Sequence, residues 1–126
     1  MSKEIQIEIT YEIPKLYSSY VAGNMLDDNI VLGKFELNVP DASRHVMIWS
    51  FEILPKYRGK GLGRACYGAL ERLVLEKYDS REIYLELPIP QMFKGEPWNP
   101  KGFWEKVGYV TIRGRQMRKT DFKPNG

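Results

Sequence analysis

No part of this sequence constrains the fold more than residues 54–64, which read LPKYRGKGLGR. The segment contains three glycines and leads from a β-type pattern into a helical one. A helix N-terminus presents unpaired backbone N–H groups and the positive end of the helix dipole, and glycine lets an anion approach them without a Cβ in the way. Arg58, Lys60 and Arg64 add positive charge. The segment therefore predicts a phosphate-binding turn between a strand and a helix.

Two familiar phosphate-binding loops do not match this segment. The nucleotide P-loop requires GxxxxGK[ST], and the dinucleotide fingerprint requires GxGxxG before the helix. Arg64 stands where the last glycine of the second pattern would be. Taken alone, the segment is described equally well as a glycine-rich surface turn that carries basic residues.

Alternating apolar residues predict strands on the N-terminal side of this segment. Residues Glu4–Ile13 alternate isoleucine with polar residues, which is the period of a half-buried strand. Tyr20–Leu26 and Ile30–Leu37 predict a hairpin joined by the polar turn Asp27-Asp28-Asn29. Val46–Leu54 is rich in β-branched and aromatic residues and predicts a central strand.

Beyond the glycine-rich segment the apolar spacing becomes helical. It predicts a main helix that is closed by Asp79-Ser80. Its apolar stripe consists of Leu62, Cys66, Leu70, Leu73 and Val74. Glu82–Leu87 alternates again and predicts the next strand, and a long loop, Pro88–Trp98, follows.

The C-terminal part predicts one more helix and a hairpin. Asn99-Pro100 is an N-cap followed by proline at the first helical position, and Gly108 ends this short helix. Tyr109–Arg113 and Arg115–Lys119 predict a final hairpin around Gly114. The elements predict one α/β (α+β) domain that spans residues 1–126.

Composition supports one globular domain. The chain has 126 residues, of which 43% are hydrophobic and 28% charged, with a formal net charge of +3. We find neither a membrane-spanning apolar run nor a secretory pattern at the N-terminus, so we expect a soluble, cytoplasmic protein. One cysteine, Cys66, and one histidine, His45, leave too few ligands for a typical metal site, so we expect no metal.

Two motifs in the expected order resemble those of one enzyme family. The pattern [RQ]xxGx[GA] fits Arg58, Gly61 and Gly63, and residues 103–109, FWEKVGY, are similar to the family's second signature. The sequence in this way resembles the GNAT superfamily of acetyl-CoA-dependent N-acetyltransferases, over roughly Val46–Lys119. The resemblance implies a mixed, mostly antiparallel central sheet, splayed at the cofactor site, with a main helix after the central strand. The family's N-terminal helices would be reduced or absent, since only Pro14–Ser19 separates the first two strands.

The resemblance also implies where acetyl-CoA binds. The pantetheine arm would enter the splayed gap and pair with backbone groups of the central strand, and the diphosphate would lie on the glycine-rich loop. A main-chain N–H near Glu52 or Ile53 would polarise the thioester carbonyl. The implied cofactor-binding residues are Phe51, Ile53, Leu54, Arg58, Gly59, Lys60, Gly61, Leu62, Gly63, Arg64, Asn99 and Trp104.

The resemblance leaves the proton-transfer groups open. Glu52 and Glu86 are the candidate bases, because both would lie near the splayed edge; each could instead be a solvated or ion-paired surface residue. Many family members have a tyrosine acid at the position of Trp104, whose indole cannot give up its proton. Tyr109, Tyr84 or solvent would then protonate the leaving thiolate. Cys66 lies on the apolar stripe and is expected to be a core residue, not a nucleophile.

The resemblance implies an acetyl transfer to a primary amine, directly, in a ternary complex. The reduced N-terminal region predicts an open acceptor groove for a protein N-terminus, a lysine side chain or a small amine, or a site that a second subunit of a homodimer completes. The alternative is a catalytically inactive module that binds acyl-CoA or a protein. We do not favour nucleic-acid binding by the basic cluster Arg113–Lys123, because aromatics are not interleaved with it and charges that guard a strand edge explain it as well.

Overall fold

The computed structural model describes residues 4–41, 45–80, 82–87, 92–93, 96–97 and 100–120. Within these residues the chain forms strands, two α-helices and a single 3-10 turn at Pro55–Tyr57. The strands are β1 (Gln6–Pro14), β2 (Ser18–Asp27), β3 (Ile30–Pro40), β4 (His45–Ile53), β5 (Glu82–Glu86), β6 (Met92–Phe93), β7 (Glu96–Pro97), β8 (Val110–Arg113) and β9 (Gln116–Lys119). The helices are α1 (Leu62–Tyr78) and α2 (Pro100–Lys106).

The central sheet has the order β1-β2-β3-β4-β5-β9-β8. Its strands pair antiparallel, except that β4 and β5 run parallel. A parallel pair needs a crossover connection, and α1 provides it. The predicted mixed, mostly antiparallel sheet is confirmed.

The β2–β3 connection shows why the predicted hairpin forms. Asp28 and Asn29 both have positive φ, at 52° and 68°, as a two-residue turn with the twist of a hairpin requires. Aspartate and asparagine tolerate this region better than other residues with a Cβ. The polar turn thereby fixes the register that starts at the pair Asp27 and Ile30.

Both helices lie on one face of the sheet and cover the core. In α1 the residues Cys66, Leu70 and Val74 are buried as predicted, while Leu62 and Leu73 are only half-buried. The sheet contributes side chains from each central strand to the same core. These are Val21, Met25, Phe35, Leu37, Val46, Ile48, Ile83, Leu85 and Met117.

The opposite face of the sheet, called here the helix-free face, is covered by neither helix among the described residues. A bulge at Thr10 transfers the apolar residues of β1 from one face to the other. Ile7 and Ile9 pack on the core before the bulge, whereas Tyr11 and Ile13 are exposed after it. The strand thus places aromatic and aliphatic surface on the helix-free face.

The structure differs from the sequence predictions in detail. The predicted loop Pro88–Trp98 contains the two short strands β6 and β7, which pair with each other apart from the central sheet. The proposed cap residue Asn99 lies outside the described residues. Helix α2 ends before Gly108, whose φ of 108° suits the predicted stop. No helix in the described part of the chain is long and apolar enough to cross a membrane.

Candidate active site

The strands β4 and β5 part halfway along β4. Their pairing runs from His45 with Glu82 to Ile48 with Leu85, but β4 continues to Ile53. On its other side, β4 has an extra residue, Trp49, relative to β3. Such a bulge bends a strand and increases its twist, so Trp49 marks the point where β4 leaves β5. The predicted splay is present.

The backbone groups that face this gap follow from the register of β3 and β4. The N–H of Leu54 donates to the carbonyl of Leu32 at 2.8 Å, so Leu54 directs its backbone groups towards β3. Because these directions alternate along an antiparallel strand, the backbone groups of Phe51 and Ile53 face the gap. Of the two residues considered as the source of an oxyanion-binding N–H, this geometry favours Ile53 over Glu52.

The glycine-rich loop leads into an uncapped helix N-terminus. Gly59 and Gly61 have φ values of 77° and 76°, and Gly61 is the N-cap residue of α1. No side chain caps the helix, and its first turn contains no acidic residue. The N–H groups of the first turn are therefore available to an anion, and Cβ atoms at Gly59 and Gly61 would meet nothing within 4 Å.

Arg58 connects this loop to the gap. Its Nε donates to the carbonyl of Ile53 at 2.7 Å, and Nη2 lies 3.9 Å from Oε1 of Glu52. Since Ile53 directs its carbonyl into the gap, the guanidinium group lies at the gap's outer end. The side chain is more than half exposed, so this exposed ion pair contributes little and can rearrange. Lys60 is exposed on the same loop, and Arg64 is exposed in the first turn of α1.

Both candidate bases lie on the helix-free face, one on each strand that borders the gap. Glu52 stands opposite Lys34 in the β3–β4 register, and its side chain is mostly exposed. Glu86 ends β5 and forms an ion pair of 3.3 Å with Arg115. Both carboxylates thus lie on strands that border the gap, and Glu86 has the closer cationic partner.

Tyr109 lies in the core instead of the gap. Only 2% of the residue is exposed, and its hydroxyl lies 2.7 Å from the hydroxyl of Tyr67. Burial raises the pKa of Tyr109 far above its ordinary value, partly offset by the hydrogen bond to Tyr67. A phenol held this way is a poor proton donor to a thiolate, so the geometry does not favour Tyr109 as the acid.

Sequence reasoning missed Tyr67, which is buried on α1. Its hydroxyl also lies 3.3 Å from Glu71, whose carboxylate forms an ion pair with Lys119. The helical spacing of the apolar residues in α1 indicates that Tyr67 is buried, because it lies one residue after Cys66 and three before Leu70.

Trp104 and Phe51 join the helices to the gap. The Trp104 ring packs edge-on against Phe51 at 5.5 Å, and its other ring neighbours are Tyr67, Phe103 and Tyr109. Phe51 also stacks on Phe103 at 5.8 Å. Because the backbone of Phe51 borders the gap, the aromatic cluster around its ring forms the helix-side floor of the gap.

The remaining candidates have structural partners. Tyr84 is half-buried on the helix-free face and donates to Glu82, which also binds His45. Cys66 is fully buried, and this burial raises the pKa of its thiol to about 11, with Asp27 adding to the effect. A thiol with that pKa is protonated at neutral pH and is not a nucleophile.

Two described members of the basic cluster near the C-terminus, Arg115 and Lys119, have local partners. Arg115 binds Glu86 and the carbonyl of Leu87. Lys119 donates to the carbonyl of Val107 and pairs with Glu71.

Solved structures of acetyltransferases share this fold. A tandem GNAT protein from the clavulanic acid biosynthesis pathway is 18% identical, with a TM-score of 0.61, and the alignment covers 77% of this chain and 30% of that one. The PaiA N-acetyltransferase of Thermoplasma acidophilum, in complex with coenzyme A, is 17% identical, with a TM-score of 0.60 and coverage of 81% and 61%. A variant of a spermidine N-acetyltransferase of Vibrio cholerae is 18% identical, with a TM-score of 0.63 and coverage of 80% and 64%.

This chain therefore spans less than two thirds of the length of these relatives. A comparison with curated proteins found no match. The sequence profile of the Acetyltransferase (GNAT) family matches residues 3–109, which extends the resemblance to the N-terminal strands. With this match over most of its length, the chain belongs to the GNAT acetyltransferase family.

Proposed function

We propose that the chain transfers an acetyl group from acetyl-CoA to a primary amine, directly, in a ternary complex. The observation that carries the proposal is the continuity of two features: the gap between β4 and β5, and the glycine-rich loop at its outer end. Together they offer an elongated site that is bordered by backbone groups on one side and ends on an uncapped helix.

The loop is suited to the diphosphate of the cosubstrate. The first N–H groups of α1 and the positive end of its dipole would bind the anion, and the positive φ values of Gly59 and Gly61 keep the approach open. Arg58, Lys60 and Arg64 supply compensating charge. Leu62 and Gly63 contribute backbone N–H groups in the same turn.

The gap is suited to the pantetheine arm and the thioester. Backbone groups of Phe51 and Ile53 would pair with the arm as a further strand would, whereas those of Leu54 face β3 and would not pair with it. The N–H of Ile53 would stabilise negative charge on the thioester oxygen during attack. Trp104 closes the helix side of the gap through its contact with Phe51.

When bound, the cosubstrate supplies an activated acetyl group as a thioester. The amine nitrogen forms a bond to the acetyl carbon, the carbon–sulfur bond breaks, and the thiol leaves. The amine must lose a proton, which Glu52, the less firmly paired of the two carboxylates, would accept directly or through water. The thiolate would take its proton from solvent, because Tyr109 is buried.

A cosubstrate pair tests this proposal. Acetyl-CoA has the diphosphate, and acetyl-pantetheine carries the same thioester without it. Gly61→Val places a side chain where the anion would lie, so it should raise the KM for acetyl-CoA at least tenfold while the slow reaction with acetyl-pantetheine is unchanged. Gly68→Ala, in the middle of α1 with open space around it, is the matched control and should change neither value.

The outcomes separate the proposal from its alternative. Thiol release with an amine panel, lost selectively in Gly61→Val, supports acetyl transfer. Tight binding of acetyl-CoA without release on any amine would instead identify a catalytically inactive binding module. No measurable affinity for coenzyme A, or the same affinity in Gly61→Val, would refute the proposed site.

A further inference from the structure

Two aromatic rings stand beside the gap on the helix-free face. Trp49 is the bulged residue of β4, at the point where the strand leaves β5, and about half of its surface is exposed. Tyr20 lies next to it on β2, with ring centroids 6.0 Å apart and planes inclined by 39°. Neither ring belongs to the aromatic cluster on the helix side. An exposed tryptophan beside a reaction site is available to a ligand.

A carboxylate completes this arrangement. The hydroxyl of Tyr20 donates to Oε2 of Glu36, which lies on β3 between the two aromatic strands. This hydrogen bond, burial and the carboxylate charge raise the pKa of Tyr20 above its ordinary value. The hydroxyl therefore remains a hydrogen-bond donor to Glu36 at neutral pH. Two ring faces and a carboxylate are the groups that bind ammonium ions in proteins.

The chain's own lysine shows what this arrangement attracts. Nζ of Lys15, in the turn between β1 and β2, lies 5.9 Å from the ring centroid of Tyr20 and 5.8 Å from that of Trp49. A single primary ammonium group thus contacts both rings. Lys15 is exposed, and a cation–π contact at an exposed site is weak, so another ammonium group can replace it.

We infer that Tyr20, Glu36 and Trp49 form an ammonium site that binds the second charged nitrogen of a linear diamine or polyamine while its other amine is acetylated. The inference rests on the proposed function and specifies the acceptor. Lys15 occupies the ammonium site in competition with the acceptor. A linear diamine is the smallest acceptor that presents the same alkylammonium group as Lys15 and a second amine to the gap.

The residue spacing along β4 sets the scale of such an acceptor. Trp49 precedes Glu52 by three residues, which corresponds to roughly 10 Å at the rise of a β-strand. A flexible alkyl chain can place one nitrogen near Trp49 and the other near Glu52 and the gap-facing N–H of Ile53. Because the strand fixes the distance between the positions of the two nitrogens, the preference for diamines should be greatest at one chain length and should not rise steadily with chain length.

The test compares linear α,ω-diamines of increasing length with the monoamine of each length, by thiol release at saturating acetyl-CoA. For the best diamine, the wild type should show a kcat/KM about tenfold above that of its monoamine. Glu36→Gln and Trp49→Leu should remove this preference through KM, and Trp49→Phe should retain most of it. Lys15→Gln should have the opposite effect and lower the KM for the diamine. None of these variants should change the monoamine rate.

Each outcome decides the inference. Equal rates for diamines and monoamines in the wild type would overturn it and leave the proposed acetyl transfer intact. A preference for basic peptides that is insensitive to Trp49→Leu would also overturn it, in favour of a protein acceptor. If no amine is acetylated at all, the proposed function fails, and the ammonium site fails with it. Circular dichroism and chemical unfolding of each variant establish that the fold is retained.

Discussion

The hydroxyl groups of Tyr67 and Tyr109 lie 2.7 Å apart in the interior of the protein, where each residue is 2% exposed. Tyr67 is in α1, and Tyr109 directly precedes β8, so the hydrogen bond joins the main helix to the last hairpin. Both rings also pack against Trp104. The pair thereby fixes the helix-side floor of the gap in position.

Removing both hydroxyl groups of this pair should cost less stability than the sum of removing each one alone. Tyr109→Phe leaves the buried Tyr67 hydroxyl with only the longer contact to Glu71, so the free energy of unfolding should fall by about 1–3 kcal/mol. Replacing both tyrosines by phenylalanine removes donor and acceptor together and should cost less than the sum of the single changes. Urea unfolding of the three variants measures this coupling.

The opposite result would be additive losses in the double variant. Additivity would mean that the two hydroxyl groups do not stabilise each other, and that the floor of the gap is held by ring packing alone. Thiol-release activity of the double variant provides a second check. It should remain close to that of the wild type if Tyr109 is not the acid.

Replacing the two carboxylates at the gap should have unequal effects. Glu52→Gln keeps the shape of the side chain but cannot accept a proton, so kcat should fall by about 10²-fold or more with little change in the KM for acetyl-CoA. Glu86 is already paired with Arg115, and Glu86→Gln should reduce kcat by much less. Steady-state kinetics with one amine acceptor compares the two. A larger loss in Glu86→Gln would transfer the proposed role of base to Glu86.

The parts of this molecule that sequence predicted well depend on local patterns. The loop from Arg58 to Gly63 has glycines where the backbone needs a positive φ. The hairpin turn at Asp28 is formed by residues that tolerate a positive φ. The apolar period of α1 and the β-branched and aromatic composition of β4 predicted the positions of these elements to within one residue. Together these elements place the gap and the loop, which is most of the candidate site.

The parts that sequence did not predict depend on partners distant in the chain. The bulges at Thr10 and Trp49 exist only in relation to neighbouring strands, and a period-two pattern does not reveal them. The hydrogen bond between Tyr67 and Tyr109 joins residues 42 positions apart, and the apolar period of α1 does not reveal it. The ammonium site joins Tyr20, Glu36 and Trp49 from three strands for the same reason.

Alkaline pH should weaken the fold through Cys66. Burial raises the pKa of the folded thiol from 9.0 to about 11, so between these values the unfolded chain releases a proton that the folded chain retains. The stabilisation is complete below about pH 9 and is lost as the pH rises to about 11. Cys66→Ala has no thiol to titrate, so it does not lose this stabilisation. The difference in unfolding free energy between wild type and variant should therefore become smaller between about pH 9 and about pH 11. Tyr78, whose pKa is raised to about 12, is present in both proteins and cancels.

Thiol labelling supplies the control for this comparison. Native protein should react slowly with a thiol reagent at neutral pH and quickly in denaturant, because the folded chain keeps the reagent away from the buried thiol and raises its pKa. A difference in unfolding free energy that is constant from about pH 8 to about pH 11 would contradict the shifted pKa. Rapid labelling of the native protein would contradict the burial of Cys66.

Alanine at Gly61 and alanine at Gly68 should change the stability of the protein in opposite directions. Gly68 lies inside α1 with ordinary helical φ, and a Cβ there meets nothing within 4 Å. Gly68→Ala should therefore stabilise the protein by about 0.5–1 kcal/mol, since alanine loses less backbone entropy in a helix. At Gly61 a Cβ also finds open space, but the φ of 76° disfavours any residue other than glycine. Gly61→Ala should cost about 1–2 kcal/mol. Urea unfolding of both variants decides the point: stabilisation in Gly61→Ala would show that the loop does not need the left-handed conformation on which the diphosphate site depends.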